Sequence, residues 1–348
     1  MADPRKPRRR RRLRLLLIAF CVVALAATGT AYYLGRQIVA PIDRIEGVFG
    51  DVPGHQRPAK PTSGPGAEAV NILLLGTDRR SEIATTGDRA GAAAWVPGAQ
   101  RSDAMLLLHI DADRKGATVI SLPRDSWVEV PGHGYDKINA AYSYGGAALA
   151  VATVERLTQV RVDHLAVIDW EGIRRLTDEL GGVTITVPET VYDSARGVTW
   201  TAGVHELDGQ AAVDYLGQRY GLPAGDLDRA RRHQNFLRVL MVDTLRRISE
   251  AGPWEIYELL KVMTNNLSVN DEWSTKDMAR LAWSLRDLGG SDLAFLTVPV
   301  AGLGWEGPQS VVHLDLPMGR RLWSAVRADR VSAWLADHPE AHLEQTVR

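Results

Sequence analysis

The residues best suited to chemistry in this sequence are acidic and basic side chains set against apolar runs. Asp78, Arg79 and Arg80 follow the run Val70 to Leu75, Arg101 and Asp103 precede Ala104 to Ile110, and Arg124 and Asp125 follow Ala117 to Leu122. If the middle run pairs antiparallel with both others, all three charged groups meet at one edge of a sheet. Carboxylates and guanidinium groups crowded into a partly desolvated crevice repel their own kind, and an unpaired one costs several kcal/mol. An anion held together with a divalent cation resolves that conflict. Phosphate suits the planar fork of arginine, and Asp78 and Asp103 offer the oxygen ligands that Mg2+ takes alongside substrate phosphates. Internal Asp–Arg pairing is the plainer alternative and stays open on the charges alone.

A second basic group falls on a helical pattern from Asp226 to Ser249. Arg229, Arg232, His233 and Phe236 lie at i, i+3, i+4 and i+7 and so share a face. Two arginines at this spacing repel unless something negative lies between them; a solvated face paired to Asp226 and Asp228 is the alternative. His109, His164 and His205 lack metal-ligand spacing and are read as structural, and neither a G-x-S-x-G elbow nor a Walker loop occurs.

The three apolar runs are nearly continuous instead of alternating, which marks strands buried on both faces and calls for helices on both sides. Helical patterns at Gly146 to Gln159, Trp170 to Leu180, Gly209 to Arg219 and Asp226 to Ser249 alternate with strands at His164 to Ile168 and Val183 to Val187. The fold class is therefore α/β, a three-layer α-β-α domain with a mixed central sheet. Beyond Pro253 the pattern gives two helices, a strand at Leu293 to Val298 and a Trp-containing helix near Arg320 to Ala336. No linker-like break separates this part, so 251–348 is expected to complete the domain begun at 70–250.

The front of the chain differs. Residues 1–14 form a basic tail, and 15–34 are apolar and long enough to cross roughly 30 Å of hydrocarbon, so a single transmembrane helix is expected with its N-terminal side cytoplasmic. A signal peptide cleaved near Ala24-Leu25-Ala26 is the alternative, and either reading exports the rest. Residues 35–69, rich in Pro and Gly, are expected as a tether. The one cysteine, Cys21, lies within the apolar span, so the exported part has neither a disulfide nor a thiol nucleophile. The tail holds eight of the 41 Lys and Arg and one of the 42 Asp and Glu, which leaves the remainder near −8 and argues against a nucleic-acid surface.

Six segments in order, NILLLGTDRR from Asn71, RSDAMLLLHI from Arg101, SLPRDSWVEVPGHG from Ser121, KINAAYSYGG from Lys137, LGGVTITVPE from Leu180 and LDGQAAVDYLGQRYGLPAGDLDRARRHQ from Leu207, resemble the LytR-CpsA-Psr proteins of bacterial cell envelopes. The resemblance implies transfer of an anionic glycopolymer from a polyprenyl-pyrophosphate carrier to peptidoglycan, assisted by Mg2+, with the carrier lipid in a hydrophobic tunnel. By position it implies Asp78 and Asp103 as metal-linked carboxylates and Arg101 and Arg124 as pyrophosphate ligands. Arg79 joins that group, and Arg219, Arg229, Arg232 and Gln234 fall on the later basic motif. Asp103 is expected to orient the attacking hydroxyl, with Arg101 and Arg124 as its catalytic neighbours.

Two positions depart from the family pattern. Gly217 stands where the first of two arginines is expected, and His233 replaces a glutamine. The first departure keeps a non-catalytic lipid-glycan scaffold open as an alternative, beside a polyprenyl-pyrophosphate hydrolase that uses water as acceptor.

Overall fold

The computed structural model describes residues 42–50, 52–77, 84–88, 90, 93, 95–218, 220–222 and 226–342, without the side chains of 226–230 and 253. The expected membrane span at 15–34 and the basic tail lie outside these residues. Among the described residues no helix is long and apolar enough to cross a membrane.

In chain order the strands are β1 (Arg44–Ile45), β2 (Val70–Thr77), β3 (Ser102–Ile110), β4 (Ala117–Ser121), β5 (Trp127–Val130), β6 (Gly134–Lys137), β7 (His164–Asp169), β8 (Val183–Val187), β9 (Val191–Asp193), β10 (Val198–Trp200), β11 (Gly203–Leu207), β12 (Ser268–Asn270), β13 (Leu293–Thr297), β14 (Val300–Glu306) and β15 (Gln309–Leu314). The main helices are α1 (Ala140–Thr158), α2 (Trp170–Glu179), α3 (Gly209–Leu216), α4 (Asp226–Glu250), α5 (Pro253–Asn266), α6 (Thr275–Ser284), α7 (Leu316–Arg327) and α8 (Val331–Asp337).

Seven strands form the central sheet in the order β1-β12-β7-β2-β3-β4-β13. It is mixed: β3 runs antiparallel to β2 and β4, whereas β7 is parallel to β2 and β13 to β4. Successive side chains point to opposite faces, so each nearly continuous apolar run fills two cores. Leu73, Leu75, Leu107 and Ile120 pack beneath α1, α7 and α8. Ile72, Leu108 and Ile110 face α4, α5 and α6.

Two expected elements differ in extent. Helix α1 starts at Ala140 instead of Gly146 and breaks at Gly145–Gly146, where Gly146 has φ 60°; a Cβ there would lie 2.9 Å from the Trp95 ring, so only glycine fits. The Trp-containing helix is two helices, α7 and α8, joined by a turn in which Asp329 has φ 54°. Strand β8 stands outside the central sheet and pairs with β11.

The stretch expected as a tether is a correction over its described part. Strand β1 joins the sheet beside β12, Val48 is buried, and Arg57 donates to Glu155 at 2.8 Å while Lys60 reaches Asp163 at 2.8 Å. Composition hid this because the partners lie about a hundred residues away in sequence and the anchors are charged, whereas a packing segment is usually recognised by its apolar side chains.

His164, at the start of β7, stacks on Trp273 with ring centroids 4.3 Å apart. Burial pushes its pKa down to about 4, against the opposing fields of Asp163 and Asp277. A histidine whose folded pKa is depressed stabilises the fold above its unfolded value and loses that contribution as pH falls from about 6.5 towards 4. After discounting for partial exposure, roughly 2 kcal/mol should be lost across that window. Urea midpoints at pH 7 and pH 4.5 check this: His164→Phe, which keeps the stack, should show a smaller drop than the wild type.

Candidate functional site

The antiparallel registers bring three strand ends to one edge. Thr77 at the end of β2 lies opposite Ser102 at the start of β3, and Leu106 pairs with Ser121 at the end of β4. Asp103 and the turn after β4 therefore meet. The Arg124 guanidinium donates to Asp103 at 2.5 Å and lies 3.4 Å from Asp125, which also receives Lys137 at 2.9 Å. The turn carrying Arg124 is fixed by its backbone: Ser126 N–H donates to Pro123 O, Asn139 N–H to Arg124 O and Val312 N–H to Asp125 O. A guanidinium on an anchored backbone, only part-exposed, loses little freedom when it takes a ligand.

Asp103, Arg124 and Asp125 line a cleft of about 290 Å³, which also holds Ser121, His233 and Gln234. Under it, between the sheet and α4 to α6, lies an apolar cavity of about 300 Å³ walled by side chains such as Leu108, Ala166, Met241 and Leu285. The two adjoin: Asp103, Ala104, Leu106, His233 and Leu237 line both. A charged mouth over an apolar channel is the shape that an amphiphile with an anionic head and a hydrocarbon tail requires.

The other expected site residues divide. Gln234 lines the cleft and donates to Thr297 Oγ1 at 3.1 Å. Arg101 is exposed just before β3, and its charge opposes the upward shift that the hydrogen bond to Asp136 gives the Tyr144 hydroxyl. Arg232 lines neither of these two cavities; it is fully buried, donates to Gln218 Oε1 and lies 4.7 Å over the Tyr215 ring. Of the residues that share its face, His233 lines both cavities and Phe236 the apolar one. Asp78, Arg79 and Arg219 lie outside the described residues, as does the side chain of Arg229. The sequence set Asp125 beside Arg124 at this edge but did not single out Lys137, which comes from another strand and whose position needed the β5–β6 hairpin.

The LytR_cpsA_psr family matches residues 53–318. This chain belongs to the LytR-CpsA-Psr family. It is 33% identical over 260 residues, 74% of its length, to the probable cell wall biosynthesis protein LcpB of Corynebacterium glutamicum. It is also 32% identical over 212 residues, 59% of its length, to the polyisoprenyl-teichoic acid–peptidoglycan teichoic acid transferase TagT of Bacillus subtilis. The chain spans 61% of the length of each of these two relatives. Among solved structures, TagT bound to LIIa-WTA superposes with a TM-score of 0.59 at 25% identity, covering 79% of this chain and 96% of that one. TagT with bound octaprenyl pyrophosphate lipid shares the fold, with a TM-score of 0.55 at 23% identity and coverages of 80% and 99%.

The departure at Gly217 has a spatial counterpart in this LytR-CpsA-Psr chain. Arg196, from the turn between β9 and β10, lies against Gly217: it donates to Gly217 O at 2.5 Å and to the buried Asp193 at 3.1 Å, and a Cβ on Gly217 would fall 2.2 Å from its Nη2. An arginine at 217 therefore cannot enter unless Arg196 leaves. Gly217→Arg alone should destabilise by about 1 kcal/mol, because displacing the flexible Arg196 tip breaks its hydrogen bonds to Gly217 O and Asp193, and Arg196→Ala/Gly217→Arg should be no more stable. Thermal unfolding of the two variants checks the expectation.

Proposed function

We propose that this chain transfers an anionic glycopolymer from a polyprenyl-pyrophosphate carrier to a peptidoglycan hydroxyl by phosphoryl transfer. The observation that carries the reading is that the Asp103–Arg124 cleft adjoins the apolar cavity through a shared wall, a pairing that suits a pyrophosphate head followed by a prenyl tail. The transferase activity for which TagT is named, and its solved complexes with LIIa-WTA and with octaprenyl pyrophosphate lipid, support the same substrate class.

In this reading the acceptor oxygen attacks the phosphorus bound to the glycan. A new P–O bond forms, the P–O bond to the lipid phosphate breaks, and polyprenyl phosphate leaves. Arg124, held in its turn, donates to the phosphate oxygens on which charge accumulates, and Arg101 adds positive potential from the rim. Asp103 orients the acceptor hydroxyl and takes its proton. Asp103 offers at the cleft the carboxylate oxygen that Mg2+ takes together with substrate phosphates, and Asp78 is the second carboxylate that the family resemblance implies for it. When bound, it would supply charge neutralisation on the pyrophosphate. Export behind a membrane helix at 15–34, with the N-terminus cytoplasmic, sets the domain on the side where peptidoglycan is.

Incubating the protein with carrier labelled in the glycopolymer, with and without peptidoglycan, tests the proposal. Label should become covalently attached to peptidoglycan, and release of polyprenyl phosphate should require the acceptor. Release that is indifferent to acceptor would replace this reading with a hydrolase, and binding without turnover would replace it with a scaffold.

A further inference from the structure

At the end of β3 opposite the cleft, His109 is fully buried, and its two ring nitrogens face oxygens of different kinds. The orientation of Asn71 is set by its Nδ2, which donates to Arg161 O at 3.1 Å, so its Oδ1 is the atom 2.8 Å from His109 Nδ1. An amide oxygen only accepts, so Nδ1 carries the hydrogen. Nε2 faces Asp329 Oδ1 at 3.0 Å and Asp111 Oδ1 at 3.7 Å. Two carboxylates thus converge on one buried ring nitrogen, an arrangement that needs positive charge among them, supplied by a second ring proton or by a metal ion in its place.

We propose that His109, Asp111 and Asp329 form a binding site for a divalent transition metal of the zinc class. A tetrahedral zinc with ligand bonds of about 2.0–2.1 Å has its donor atoms about 3.3 Å apart, and the two separations from Nε2 bracket that value. All three ligand atoms lie within 4.8 Å of one another. The Nδ1–H donated to Asn71 is the outer hydrogen bond that usually orients a metal-bound imidazole, and Ala112 N–H donates to Asp329 Oδ2 at 3.2 Å, which orients that carboxylate. Gly116 makes room for Asp111, because a Cβ there would fall 2.5 Å from its Oδ2.

The imidazole selects for zinc over Mg2+. The site is also separate from the cleft: Asp103 and His109 are six residues apart on one strand, about 20 Å. Its ligands come from the end of β3, the turn after it and the α7–α8 turn, so a bound metal would staple those segments. His109 was read as structural in the sequence because its partner Asp329 is 220 residues away.

The test uses the untagged full chain in detergent, stripped with a chelator and titrated with Zn2+ in the presence of excess Mg2+. One equivalent should bind, Co2+ should give visible d–d absorption, and zinc should raise the melting temperature. Asp329→Asn should weaken uptake roughly tenfold or more. The half-buried Asp111→Asn, which leaves the His109–Asp329 contact in place, should do the same if the first variant is unstable. Uptake unchanged in both variants, no uptake by the wild type, or a His109 ring protonated at both nitrogens and unaffected by zinc would overturn the proposal.

Discussion

Replacing Arg124 by alanine is expected to slow glycopolymer transfer about 10²–10³-fold, the usual cost of removing one preorganised donor from developing charge. The guanidinium lies on a turn whose backbone is tied to α1 and β15, and its partner Asp103 is part-buried at the point where both cavities meet. Because the residue is part-exposed, its loss should cost the fold only about 1 kcal/mol, so the fall in rate should not follow the melting temperature. Arg124→Lys keeps the charge and loses the fork, and should fall between. Asp103→Asn keeps shape and removes the carboxylate, which should lower kcat more than it raises KM if the residue handles the acceptor proton. Initial rates with labelled carrier and peptidoglycan measure all three, and an Arg124→Ala rate within about threefold of wild type would show that the cleft is not the reaction site.

The second large effect belongs to the apolar cavity. Met241 lies on its α4 wall, and Met241→Trp would fill space otherwise taken by three or four methylene-sized groups of a long prenyl chain. At about 0.8 kcal/mol for each, binding of an octaprenyl carrier should weaken roughly 50- to 200-fold. A geranyl analogue, whose tail ends near the mouth, should be nearly unaffected. The diagnostic is the ratio of KM values for long and short carriers: a change common to both would point to general damage, and no change in either would mean that the tail lies elsewhere.

The central strands were legible because burial on both faces writes continuous apolar runs; the antiparallel placement of β3 was only a supposition in the sequence, and the registers supply it. What could not be read depends on long-range pairing. Arg57 and Lys60 hold the Pro- and Gly-rich front through Glu155 and Asp163, and no local pattern announces such partners. Helical spacing set Arg232 on one face with His233 and Phe236, but periodicity alone does not give each residue's neighbours: His233 lines the cleft, whereas Arg232 lies against Gln218 and Tyr215. The same holds for Gly217, whose meaning depends on Arg196, twenty-one residues earlier.

The most direct measurement is a crystal structure of this protein with a polyprenyl pyrophosphate bound. The pyrophosphate should lie within hydrogen-bonding distance of the Arg124 guanidinium beside Asp103, with the prenyl chain running between the central sheet and α4 to α6. A pyrophosphate bound away from Arg124, or a chain lying on the outer surface, would contradict the account.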